Sequence, residues 1–103
     1  MNTKYKWLNS EEANELFEMF KAISHPSRLA IVFLLSNQDK KRMTVKCIYN
    51  ELGLPQPVIS RHLSILKNSG FVKRVTVDSN VFYELRENNK HVKGFSDFFS
   101  TLI

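Results

Sequence analysis

The segment from Leu52 to Leu63 reads LGLPQPVISRHL. Gly53, Pro55 and Pro57 fall within five residues of it. Proline fixes φ near −65° and lacks an N–H, so no helix passes through this point. Glycine lets the chain leave a helix in the left-handed conformation. A helix must therefore end at Gly53 and a new one must start near Gln56, where a proline in the first turn costs no hydrogen bond. Upstream, Thr44 is a plausible N-cap for a helix over Val45 to Leu52 that turns Ile48 and Leu52 inward. Downstream, Ile59, Leu63 and Leu66 recur at helical spacing as far as Asn68, and Ser69-Gly70 ends the run. Two helices joined by a tight glycine-containing turn form a helix-turn-helix, here spanning 44–69. The prolines restrict the turn, so little entropy is lost in positioning the second helix.

Around this motif the chain organises as one domain, 1–103, of a size that buries a single core. Residues 9–22 hold Ala13, Leu16, Phe17 and Phe20 at three- and four-residue spacing, which predicts an amphipathic first helix; Asn9 with Glu12 resembles a capping box. Pro26 opens a second helix that is nearly all apolar and therefore the most buried. Residues 36–42 read as a polar loop. After Gly70 the periodicity changes. Phe71–Val77 and Val81–Leu85 are rich in β-branched residues and flank Asp78-Ser79-Asn80, so 71–85 is predicted to be a β-hairpin, or wing. Val92, Phe95, Phe98 or Phe99, and Leu102 predict a last helix over 88–102. The expected fold is mainly α with a β-hairpin wing: a winged helix-turn-helix of about five helices plus a two-stranded hairpin.

The chain carries 15 Lys+Arg against 10 Asp+Glu, a net charge of +5. A basic small domain suits a polyanionic partner, nucleic acid before membrane. With Ile59, Leu63 and Leu66 inward, Gln56, Val58, Ser60, Arg61 and Ser64 fall on or near the outer side of the helix. Gln reads adenine, Arg reads guanine, Ser reads either, and Val meets a thymine methyl in the major groove. The N–H groups at the helix start, around Pro57, suit a phosphate. Lys67, Lys73 and Arg74 are candidates for phosphate contacts. His62 either reaches a phosphate or packs at the junction of helix and wing.

Three segments together resemble the ArsR/SmtB family of winged-helix bacterial repressors. Phe20 to Ile31, FKAISHPSRLAI, is similar to the family's FKALSDPTRLRIL opening. Leu54 to Val72, LPQPVISRHLSILKNSGFV, is similar to its LSQPTVSRHLKVLREAGLV recognition segment. Tyr83-Glu84-Leu85 closes the hairpin as the family's YRL does. The resemblance covers roughly residues 16–85. It implies a homodimer, joined through first and last helices, that binds an inverted repeat in double-stranded operator DNA and represses transcription; separately, the single cysteine, Cys47, excludes an internal disulfide and fits a reducing cytoplasm. The dimer face is then expected at Leu8, Leu16, Met19, Phe95, Phe98, Phe99 and Leu102, with Trp7 as a further candidate. An apolar stripe of this kind is otherwise core, but at the end of a small domain it would leave a patch exposed.

The chain also departs from that family. Around the helix before the recognition helix it reads Met43-Thr44-Val45-Lys46-Cys47-Ile48, with one thiol where some relatives place a Cys-x-Cys pair. On the last helix Asn89 and His91 stand at one pair of ligand positions and Leu102 where a second His belongs. Zinc sites need about four soft or borderline ligands, so neither a metal nor another cofactor is expected. Cys47 has two readings, a small buried filler or a redox-responsive thiol beside Lys46. His25 replaces the family's capping Asp, and Pro55 its capping Ser. The wing tip lacks the usual basic residue.

No apolar run approaches the roughly 20 residues that span a bilayer, and the first residues lack a signal-peptide core. No nucleophile–base pair, paired carboxylates or Gly-rich phosphate loop points to an enzyme. Two alternatives to a DNA-binding repressor remain: a winged helix used as a protein-interaction module, and a repressor switched through Cys47.

Overall fold

A computed structural model describes residues 3–102. A short 3-10 segment, Thr3–Asn9, leads into α1 (Glu11–Ile23), α2 (Pro26–Ser36), β1 (Arg42–Thr44), α3 (Val45–Leu52), α4 (Gln56–Asn68), β2 (Val72–Val77), β3 (Asn80–Leu85) and α5 (Lys90–Ser100). The three strands form one antiparallel sheet in the order β1-β3-β2.

The turn between α3 and α4 is built as its composition requires. Thr44 Oγ1 accepts from the Cys47 N–H at 3.2 Å and starts α3. Gly53 ends it at φ +64°, ψ 32°, with its N–H donating to the Tyr49 carbonyl at 2.9 Å. Pro55 then takes an extended conformation, and its carbonyl accepts from Val58 and Ile59. Proline offers no side-chain oxygen, so α4 begins without a side-chain cap. At α1 the cap is Ser10, whose Oγ accepts from the Ala13 N–H at 3.1 Å; the sequence pattern had pointed to Asn9. Serine and asparagine cap about equally well, and the helix starts one residue later than the pattern implied.

The core joins all five helices to the sheet. Ile31, Val32 and Leu35 of α2 meet Met19 of α1, Ile48 of α3, Ile59, Leu63 and Leu66 of α4, Phe71 and Val72 at the start of the wing, and Val92 of α5. Phe95 packs against Phe20 and Phe71, with both ring centroids at 5.3 Å. Three α4 side chains are fully buried, each contributing about 1.5–3 kcal/mol, and they fix the rotation of that helix about its axis.

The wing has three strands rather than two. β1 pairs with β3 from Arg42↔Glu84 to Thr44↔Phe82. Arg42 is the last residue of the expected polar loop, and Thr44 also caps α3. Lys41 carries a positive φ (55°), which turns the chain into the strand. The hairpin turn is the two residues Asp78-Ser79, both at positive φ (50° and 70°). That pattern matches the right-handed twist of a two-residue hairpin, and Asn80 already pairs with Val77.

Candidate nucleic-acid interface

α4 presents two faces. Ile59, His62, Leu63 and Leu66 are buried. Gln56, Pro57, Arg61, Ser64 and Lys67 are exposed, while Val58 and Ser60 are half-buried at the border. The helix contains no Asp or Glu. Its outward side therefore presents only neutral polar groups, small apolar groups and cations. Gln56 Nε2 donates to Ser60 Oγ at 2.9 Å. That bond holds the amide along the helix surface and uses only one of its two N–H groups, so the second N–H, the amide oxygen and the serine O–H remain for other partners. Arg61 makes no ion pair among the described residues, so its five donors are free for an acceptor.

On the wing, Lys73 and Arg74 are both exposed but not equivalent. Lys73 Nζ lies 3.5 Å from Glu84, which also pairs with Arg42 at 3.6 Å. Arg74 has no such partner among the described residues. A phosphate would have to compete with Glu84 for Lys73, and would meet Arg74 uncontested. Arg42 additionally lies over the Phe82 ring at 5.0 Å.

His62 is not at the surface. It lies against His25, with ring centroids 4.6 Å apart, joining the start of α2 to the middle of α4 rather than helix to wing. Its Nδ1 is buried without a partner. Burial first, then the positive charges of His25, Arg28 and Arg61, push its pKa below the usual imidazole value. Packed between α2 and α4, His62 is turned away from the exposed surface that carries Gln56, Arg61, Ser64 and Lys67, unlike the phosphate contact considered from sequence. His25 Nδ1 accepts from the Ser27 N–H at 3.1 Å, so it takes over the cap at the start of α2.

The expected association face also separates into two sets. Met19 is fully buried and Phe99 nearly so. Both are core residues and cannot face a partner. Phe98 and Leu102 are more than half exposed, as is Leu8, and Trp7 is about half exposed. Leu16 and Phe95 are half-buried and line, with Phe98, a shallow apolar depression between α1 and α5. Beside it, Trp7, Leu8, Leu16, Phe17 and Phe20 line a second one. Tyr5, Phe17 and Phe20, all about half exposed, thus extend the apolar face beyond the residues expected at the dimer contact. Asn89 caps α5 by accepting from the His91 and Val92 N–H groups, and Glu12 of α1 pairs with Lys90 at 2.7 Å. Cys47 is exposed on α3, so it is not a buried filler.

An exposed, carboxylate-free helix after a tight turn, flanked by a three-stranded wing, defines a winged helix-turn-helix DNA-binding domain. The family model described as "Bacterial regulatory protein, arsR family" matches residues 25–74. An HTH-type transcriptional regulator of Methanocaldococcus jannaschii is 46% identical over 63 residues, covering 61% of this chain and 68% of that protein. The biofilm growth-associated repressor of Xylella fastidiosa is 32% identical over 77 residues, covering 75% of this chain and 65% of its own. The crystal structure of the transcriptional regulator HlyU from Vibrio vulnificus superposes with TM-score 0.75 at 30% identity, covering 99% of this chain and 98% of that one. The transcriptional repressor PagR of Bacillus anthracis does so with TM-score 0.72 at 30% identity, covering 84% and 94%. The chain belongs to the ArsR family and is a DNA-binding transcriptional regulator. Among the described residues, no helix is long and apolar enough to cross a membrane.

Proposed function

We propose that the chain acts in the cytoplasm as a homodimeric repressor that reads an inverted-repeat operator in double-stranded DNA. The N-terminal half of α4 enters the major groove. Gln56, held by Ser60, faces adenine; Arg61 takes guanine with two parallel N–H donors; Val58 meets a thymine methyl. Ser64, Lys67, Arg74 and the open first turn of α4 around Pro57 contact phosphates, with Lys73 competing against Glu84. Phosphate contacts supply much of the affinity, and base contacts select the sequence. Two copies associate through Leu8, Leu16, Phe95, Phe98 and Leu102, with Trp7 at the edge. A two-fold partner places the second α4 about 34 Å away, one turn of duplex.

The observation that carries this reading is the exposure of Arg61, without an ion pair, on a helix whose opposite face is locked into the core. The test is binding of Arg61→Ala to operator and to random duplex at two salt concentrations. The expected loss is about 1–3 kcal/mol on operator and much less on random DNA. Equal loss on both makes Arg61 a phosphate contact only.

A further inference from the structure

Behind the recognition helix, about three turns from its reading end, α1, α2 and the C-terminal end of α4 enclose a cleft of about 460 Å³. Glu18 and Lys21 of α1, Arg28 of α2, and Ile65, Asn68 and Ser69 line it. Arg28 is half-buried, and its Nε is fully buried without a hydrogen-bond partner. Among the described residues it forms no ion pair. A guanidinium N–H shut off from water and left without an acceptor is unfavourable. Lys21 supplies a second cation, held 3.6 Å from Glu18 on the exposed rim. Asn68 adds amide donors at the same wall. Two cations and an amide converging on a ligand-sized cleft match the donor pattern that recognises a planar or tetrahedral oxyanion.

We propose that this cleft is an oxyanion site, in which Arg28 and Lys21 bind a phosphate or carboxylate group. Glu18 opposes the ligand and competes for Lys21. The anion is either a small free ligand, coupled to DNA binding through α4, or a phosphate of the DNA backbone beside the groove.

The test uses the full chain with inorganic phosphate at constant ionic strength, read by the amide resonances of Asn68 and Ser69, without DNA. A free-anion site gives saturable shifts. Arg28→Met, which keeps the aliphatic stem, weakens binding about tenfold, and Glu18→Gln strengthens it by releasing Lys21. A backbone-phosphate site gives no saturable shift with phosphate. Instead, Arg28→Met weakens operator and random DNA equally and reduces the salt slope by about one. If Arg28→Met fails to fold, Lys21→Met and Glu18→Gln, both on exposed side chains, address the same cleft in both assays. No saturable phosphate binding together with an unchanged salt slope overturns the proposal. The phosphate titration needs no operator, so its outcome is separable from that of the base-reading assignment.

Discussion

Gly53 sets the angle at which α4 leaves the domain, and its replacement isolates one physical term. Its φ is +64°, and a methyl group built on its Cα would meet nothing within 4 Å. Gly53→Ala therefore introduces no clash and removes no contact. What remains is the left-handed conformation of an L-residue, about 1–2 kcal/mol. For a chain of 103 residues this lowers Tm by about 5–10 °C. Gly53→Asn should cost less, because the short polar side chain tolerates this region. The assay is urea denaturation followed by far-ultraviolet circular dichroism, comparing midpoints at constant m. Gly70→Ala (φ +87°, also with open space) should behave alike. No loss at Gly53 would show that the turn is not left-handed there. A loss above about 4 kcal/mol would show that sterics, not backbone strain, dominate.

Three further outcomes follow from side-chain placement. Met19→Ala should destabilise by about 2–5 kcal/mol through a core cavity. Phe98→Glu should change monomer stability by less than about 0.5 kcal/mol yet abolish association, read by sedimentation at micromolar concentration; an unchanged dimer would move the interface elsewhere. His62 titrates below its unfolded value, so the unfolded chain takes up its proton first as pH falls. Its neutral form contributes stability above about pH 6.5 that is lost progressively as pH drops through the lowered folded pKa. His62→Gln should flatten that part of the stability–pH curve, measured by denaturant midpoints between pH 7 and 5.

Local chemistry made much of this legible. α3 and α4 fall where Thr44, Gly53, Pro55 and Pro57 place them, because caps and breakers act within a few residues. β1 escaped because three residues, Arg42 to Thr44, become a strand only through pairing with β3 forty residues on. Helical spacing identifies an apolar stripe but not which of its neighbours points to the core and which to a partner. Met19 and Phe99 went inward while Phe17, Phe20 and Phe98 stayed out. His62 stayed open between a phosphate contact and a packed residue because it adjoins Arg61, and its packing partner, His25, lies on another helix. A helix turns 100° between neighbours, which is enough to bury one and expose the other.

Hydroxyl-radical footprinting of the duplex upstream of the chain's own gene decides whether α4 reads DNA as one half of a two-fold pair. Two protected half-sites related by a dyad are expected, their centres about 10 base pairs or a multiple apart, both lost with Phe98→Glu at limiting protein and both weakened with Arg61→Ala. One asymmetric protected patch, unaffected by Phe98→Glu, would contradict the two-fold pair.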